Sequence, residues 1–534
     1  MNEVDNDDQG KEKINTTHLP PSPQSQSKPK TKIQTLAFIG ILLIVGALAS
    51  WFLLATNPKI ISEKKPNPKK EIPKLTVINQ GLKNEIYPSL VLSDYSYVFN
   101  FQIFEALVRY EDQTNIVPGL ATSWTNPDEL TWRFTLKKNV KFHTGRTMTA
   151  DDVVYSYEQA KKNEFLNDLY LNTIESVKKI SPQIVEIKTI QSDPVILNKL
   201  SFMHIIDSKG SSEPSPLNGT GQYTLKKGTI PSAKKIELVA FDDYHQGRPL
   251  TRSLTFIEAE EDKVLANALL EKKANIAGEF NAKSSDLLDK KRFIKREISD
   301  TAVTFLVPNT INPGPLQKLE VRQAIQYALD VPALIKANDI SATPYSQLIA
   351  EAIPGYNPSI KLVDRDIQKA KDLLIKAGYG NGFEIEFPDV SEYYNMTKTE
   401  FPKQLNEIGI RIKNTPQTGF DEYIDNIING KVELGILSYA SDTFDGADIL
   451  NATTSQLGTY KSDKLQALID EASKTSDPKK RLEILQEANM FANKDLPVIP
   501  LYSRTKTWYM DKNYNIKRDM PGAGMGVYFW KVHQ

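Results

Sequence analysis

The chain has 534 residues, 40% hydrophobic and 25% charged, enough for several folding units with buried cores. Lys plus Arg and Asp plus Glu both number 66, so the formal net charge is zero and no basic excess argues for a nucleic-acid partner. Cysteine is absent, which excludes disulfides, thiolate metal sites, cysteine nucleophiles and lipid attachment through a thiol. The five His (His18, His143, His204, His245 and His533) form no local metal motif.

Residues 1–35 begin as a polar tail. Met1 to Lys32 contains no aromatic residue and is rich in Asp, Gln, Ser, Pro and Lys, so it cannot bury enough apolar area to order itself. Leu36 to Thr56 (residues 36–56) is nearly all apolar. At ~1.5 Å per residue it spans about 31 Å, the thickness of a bilayer's hydrocarbon core. A buried soluble helix fits poorly, because the run is apolar on every face. A cleaved signal peptide could use Ala47-Leu48-Ala49, but Trp51-Phe52-Leu53-Leu54 continue the apolar run past that site. The expectation is a retained single-pass transmembrane helix in the bilayer. Lys59, Lys64, Lys65, Lys69 and Lys70 outnumber Lys28, Lys30 and Lys32 on the other flank, a bias toward a cytoplasmic C-terminal domain that is weak for long domains. Residues 57–74, dense in Lys and Pro, read as an extended spacer.

Beyond the spacer, Leu75 to Asn79 reads as a short strand. Thr131 to Leu136 alternates Trp132, Phe134 and Leu136, the period of a half-buried strand, and Gln183 to Thr189 alternates again. Thr149 to Lys162 reads as a helix, with Thr149 as cap and Asp152 placed to complete a capping box. Ser208 to Asn218 is loop chemistry. Leu254 to Ile257 and Val303 to Val307 are further strands. Then the pattern turns helical. Val321, Ile325, Ala328 and Leu329 share a face. Asp364 is placed to cap a helix carrying Ile367, Ala370 and Leu374 that stops at Gly378. Asp477-Pro478 opens a last helix. The class is α/β, without an internal repeat.

No constellation for catalysis emerges, and neither a P-loop nor a G-x-S-x-G elbow is present. Gly522, Gly524 and Gly526 resemble part of a dinucleotide fingerprint, but too few residues follow for the helix that should hold the phosphate. His143 and the Asp151-Asp152 pair read as structural, the latter as a helix start. The expectations are no enzyme, no cofactor and no metal. The most informative segment is Val432 to Leu450, where an apolar strand runs into a loop with Asp442, Asp445 and Asp448. It lacks the pattern of an EF-hand, which leaves a solvated acidic loop or a carboxylate aimed at a cationic ligand group.

Several blocks occur in order along the folded part: Phe104-Glu105-Ala106-Leu107-Val108, Pro118-Gly119-Leu120-Ala121, Thr131-Trp132-Arg133-Phe134, Val140-Lys141-Phe142-His143-Thr144-Gly145, Thr149-Ala150-Asp151-Asp152-Val153, Asn218-Gly219-Thr220-Gly221-Gln222-Tyr223, Val321-Arg322-Gln323-Ala324 and Leu496-Pro497-Val498-Ile499-Pro500-Leu501-Tyr502. Together they resemble the extracytoplasmic solute-binding proteins of ABC importers, peptide/nickel class. The resemblance implies a two-lobed periplasmic-binding-protein-like fold: lobe I over residues 75–307, with an extra subdomain at about 100–210, lobe II over 308–497, and a return to lobe I over 498–534. It implies crossings near Val307–Thr310 and Pro497–Tyr502, with a ligand enclosed between the lobes. It also implies a peptide ligand, an ABC-type permease as partner, a monomer, and a folded domain outside the cell membrane; this sets the orientation. The family's members in organisms without a periplasm are usually anchored through a lipidated Cys, so here the 36–56 helix would replace the lipid. The family's W-x-x-D ligand loop corresponds to Tyr439-Ala440-Ser441-Asp442. By that resemblance Asp442 meets the peptide ammonium and Tyr439 packs beside it, with Ser441 and Thr443 as further ligand-binding candidates. Alternatives within the fold are a metal chelate, haem, sugar or opine, or a peptide sensor that feeds no transporter.

Overall fold

A computed structural model of the chain describes residues 71–80, 97–111, 115–210, 218–227, 234–259, 261–278, 280, 288, 292–417, 419–441 and 443–514. The Leu36–Thr56 span, residues 1–35, the spacer up to residue 70 and Gly522, Gly524 and Gly526 all lie outside the described residues. Among the described residues no helix is long and apolar enough to cross a membrane.

The chain builds a two-lobed α/β fold around a long mixed sheet. The order across it is Leu434–Tyr439, Phe293–Pro308, Ile499–Asp511, Ile276–Gly278, Leu75–Asn79, Ser253–Glu258, Lys235–Ala240 and Tyr223–Leu225, with Ala342–Pro344 also paired to Ile499–Asp511. Leu75–Asn79 lies parallel to both of its neighbours. It is buried at every position because both faces of the sheet are covered. Val77 joins a cluster with Phe104, Phe256 and Trp508, whereas Ile78 faces Leu265, Leu269 and Tyr509.

A separate antiparallel sheet of four strands, Ala121–Asp128, Thr131–Leu136, Ile184–Thr189 and Ile174–Ser181, packs under the helix Ala150–Lys161. That helix begins where the sequence places it. The Asp152 carboxylate accepts from the Thr149 backbone N–H at 2.8 Å, and it is also held by Arg146, which bridges it to Asp207. In the other lobe, Asp366 rather than Asp364 caps the helix Ile367–Lys376, accepting from the Lys369 N–H at 2.9 Å. The two Asp are both plausible caps by type, and the tie is broken by the Asp366 N–H, which donates to the Tyr327 carbonyl at 2.8 Å and fixes the chain's entry. Asp477 caps Pro478–Asp495 as its sequence suggests.

The two long strands Phe293–Pro308 and Ile499–Asp511 run antiparallel from one lobe to the other. At the Phe293 end their neighbour is Ile276–Gly278; at the Pro308 end their neighbours are Leu434–Tyr439 and Ala342–Pro344. The register shifts between Ser299 and Val303, where the partners change. A bulge there bends the pair locally while its hydrogen bonds continue on either side.

The Gly219-Thr220-Gly221 turn fits against the backbone of Ile103. Gly221 N–H donates to the Ile103 carbonyl at 2.9 Å, and a Cβ at Gly221 would lie 2.5 Å from the Gln102 carbonyl oxygen. Gly221→Ala is therefore expected to cost about 1–3 kcal/mol. Urea denaturation of the variant beside the parent chain measures it, and an unchanged midpoint would contradict the packing argument.

Candidate functional site

The strand Leu434–Tyr439 ends at the register shift of the crossing strands, since Tyr439 pairs with Val303. The helix Gly446–Asn451 follows in the chain. Asp445 caps that helix by accepting from the Ala447 N–H at 2.9 Å. Its carboxylate is also gripped by Arg481, whose two terminal nitrogens each donate at 2.7 Å. Both side chains are buried, and Arg481 Nε donates to the Ala472 carbonyl at 2.9 Å, so the guanidinium is fixed from two sides.

The residues expected to meet a ligand gather around Asp448. Ser441 Oγ donates to Asp448 Oδ2 at 2.8 Å, Thr443 Oγ1 at 3.2 Å and the Thr443 N–H at 3.3 Å. Tyr439 OH donates to Asp448 Oδ1 at 3.3 Å. The Ser441 hydroxyl oxygen also accepts from the Asp445 N–H at 2.8 Å. Asp442, the expected ammonium anchor, lies outside the described residues. Burial raises the Asp448 carboxyl above its ordinary value; the Ser441 and Thr443 hydrogen bonds oppose this, and the Asp445 charge reinforces it.

Across from this loop stands a second buried ion pair. Lys199 Nζ donates to Asp193 Oδ2 at 2.8 Å, with Thr173 Oγ1 donating to the same oxygen at 2.5 Å. A cavity of about 380 Å³ lies between them, lined from one side by Asp168, Asp193 and Lys199 and from the other by Asp445, Asp448, Asp470 and Arg481. A π-helical turn contributes on each side, Asn167–Leu171 and Ala452–Gln456. Lys199 and Arg481 are already paired with carboxylates, so the remaining lining is acidic.

Bridging contacts close the space. Asn198 Nδ2 donates to the Thr443 carbonyl at 2.8 Å, and the Ser192 and Ser476 hydroxyls meet at 2.8 Å. The Phe444 ring lies 5.0 Å from that of Tyr110 and stacks on Phe202 at 6.2 Å. Burial, then the Asp445 charge, pushes the Tyr110 hydroxyl well above its ordinary value. His143 has the structural surroundings expected of it, with Nε2 2.9 Å from the Gly221 carbonyl oxygen.

Residues 115–461 match the family model for bacterial extracellular solute-binding proteins, family 5, middle region. The chain belongs to that family. It is a solute-binding protein of ABC importers, of the peptide/nickel class, and the family implies an extracytoplasmic location. Members of this kind bind solutes rather than transform them. Heme-binding protein A of Haemophilus influenzae is 27% identical over 474 residues, covering 78% of this chain and 84% of that protein. The dipeptide-binding protein of Escherichia coli is 25% identical over 475 residues, covering 80% and 88%. Among solved structures, HbpA2 of Haemophilus parasuis superposes with a TM-score of 0.77 at 22% identity, covering 86% of this chain and 99% of that one. DppA of Helicobacter pylori, in complex with the peptide STSA, gives a TM-score of 0.71 at 23% identity, covering 87% and 98%. At those identities the superpositions establish the two-lobed fold alone.

The strand-to-loop signal was visible in the solute-binding protein's sequence, but Arg481, Lys199 and Phe444 carried none. Asp445 and Arg481 are separated by 36 residues, so their pairing shows as no local motif, whereas Asp193 and Lys199 pair within one short stretch of chain.

Two outcomes follow from the electrostatics. Arg481→Leu leaves Asp445 buried without a counter-charge and should cost about 3–5 kcal/mol. A double variant, Asp445→Leu with Arg481→Leu, should lose much less, and equal losses in chemical denaturation would contradict this. For Asp448 the folded carboxyl is raised above its unfolded value, so the charged form costs stability at neutral pH. That cost is relieved as pH falls through the raised value and is gone below about 3.9, the unfolded carboxyl range. The parent chain should therefore gain stability relative to Asp448→Asn between neutral pH and about pH 4. Urea titrations across that range, with the stability difference flat, would overturn the assignment.

Proposed function

We propose that this solute-binding protein binds peptides between its two lobes and delivers them to an ABC-type permease. Asp442 anchors the peptide ammonium, with Tyr439, Ser441 and Thr443 shaping the loop that carries it. The observation that supports this most is the interlobe cavity, whose cations are paired internally and whose lining is left acidic. Such a surface favours a positively charged ligand group, and the ammonium is the one such group that peptides of any sequence share. Relatives named for dipeptides and for di- and tripeptides fit the reading.

In this reading the protein is a monomer held at the membrane by the 36–56 helix, with residues 1–35 as a tail and 57–74 as spacer. Lobe I covers residues 75–307 with a return over 498–534, and lobe II covers 308–497; the register shifts and changes of partner along the crossing strands support a division in this region.

The test uses the full chain, purified in detergent. Native mass spectrometry should release co-purified peptides, and calorimetry should show tri-alanine binding while its N-acetylated form does not. Asp442→Ala should weaken tri-alanine by roughly 30-fold or more, since one partner of a buried charge pair is lost. Unchanged affinity in that variant would remove Asp442 from the site. Release of haem or a nickel complex in place of peptides would replace the ligand with the class named in other relatives.

A further inference from the structure

Phe444 has a backbone conformation that its side chain disfavours. Its φ is 54°, in the left-handed region that favours glycine. Four other described non-glycine residues share that region. Asp339 and Leu496 are helix C-caps and Lys272 follows a helix end, while Asn139 has the short polar side chain that tolerates it. Phe444 has neither excuse: it precedes a helix start, and it bears a ring. Such a conformation persists when the surroundings over-determine it.

The surroundings that do so belong to the first lobe. Tyr110 ends the strand Val108–Tyr110, and Phe202 follows the helix Ile196–Leu200. Tyr170 stacks behind Phe202 at 5.0 Å. Phe444 completes this group of rings from the second lobe and is 5% exposed. Beside it, Asn198 of the first lobe holds the Thr443 carbonyl. The same short segment also carries Ser441 and Thr443 around Asp448, so one loop both meets the first lobe and holds the Asp448 cluster.

We infer that Phe444 is a positioning residue that latches the ligand loop of the second lobe into an aromatic pocket of the first. Opening the lobes withdraws the ring, exposes it to water and removes what holds the left-handed backbone. Closure and loop geometry are thereby coupled: the loop has its binding shape when the latch is seated. The inference goes beyond the peptide reading, and its test needs no ligand.

The absence of native cysteine permits a clean measurement on the full chain. Lys178→Cys and Lys479→Cys, one exposed site on each lobe, accept a donor and an acceptor dye for single-molecule energy transfer. The ligand-free parent should show a high-transfer closed population. Phe444→Ala should lower the closed-to-open ratio by about tenfold or more. Tyr110→Ala, made on the opposite lobe, should do the same, and the double variant should add little to either. Where Phe444→Ala fails to fold, judged by far-UV circular dichroism, Tyr110→Ala decides alone. A role confined to packing within one lobe would lower the melting temperature and leave the transfer distribution unchanged; that result overturns the latch. A shift with Phe444→Ala but none with Tyr110→Ala overturns the stated pocket.

Discussion

The pair of long antiparallel strands, Phe293–Pro308 and Ile499–Asp511, is the constraint on which the rest of the molecule depends. Their hydrogen bonds join two lobes that otherwise have different neighbours and different layers. A continuous ladder would transmit stiffness from end to end. The register shift between Ser299 and Val303 interrupts it where Tyr439 and the ligand loop arrive. A bulge of this kind weakens backbone pairing locally, next to the loop that follows Tyr439.

Around that bulge the protein holds charge in an ordered way. Asp193–Lys199 and Asp445–Arg481 are buried pairs, one on each side of the cavity, and each is fixed by additional hydrogen bonds. A buried pair with its partners intact is stiff, and removing one member is far more damaging than its net contribution suggests. The free acidity of the cavity therefore sits on a rigid frame. This suits a receptor whose ligand must be recognised after water has been expelled, when every unmatched charge is expensive. Asp448 fits the same logic: it gathers the donors of Tyr439, Ser441 and Thr443, so these side chains hold the loop's shape.

Much of the fold was legible in the chain. Leu75–Asn79 and Thr131–Leu136 lie where their periodicity places them, and helices begin after Thr149 and Asp477 because capping is local: Asp152 accepts from the Thr149 N–H and Asp477 from the Lys480 N–H, each three residues away. Local rules were ambiguous where two candidates stood close together, as with Asp364 and Asp366, and a distant hydrogen bond to Tyr327 settled the choice. The triplet Asp442, Asp445 and Asp448 was visible as an acidic loop after a strand, but its members proved unlike. Asp445 is an ion-pair partner and helix cap, and Asp448 is a partly desolvated acceptor.

The sequence by itself determined the local elements, the apolar segment at residues 36–56 and, through blocks spread over most of the chain, the family. Each of these depends on residues near one another in the chain or on their order along it. Tertiary structure alone decided the pairing of Asp445 with Arg481 and the seating of Phe444 between Tyr110 and Phe202. The physical reason is distance. Desolvation, ion pairing and ring packing act through space between segments that the chain separates by tens to hundreds of residues, and composition or periodicity carries no trace of which of them will meet.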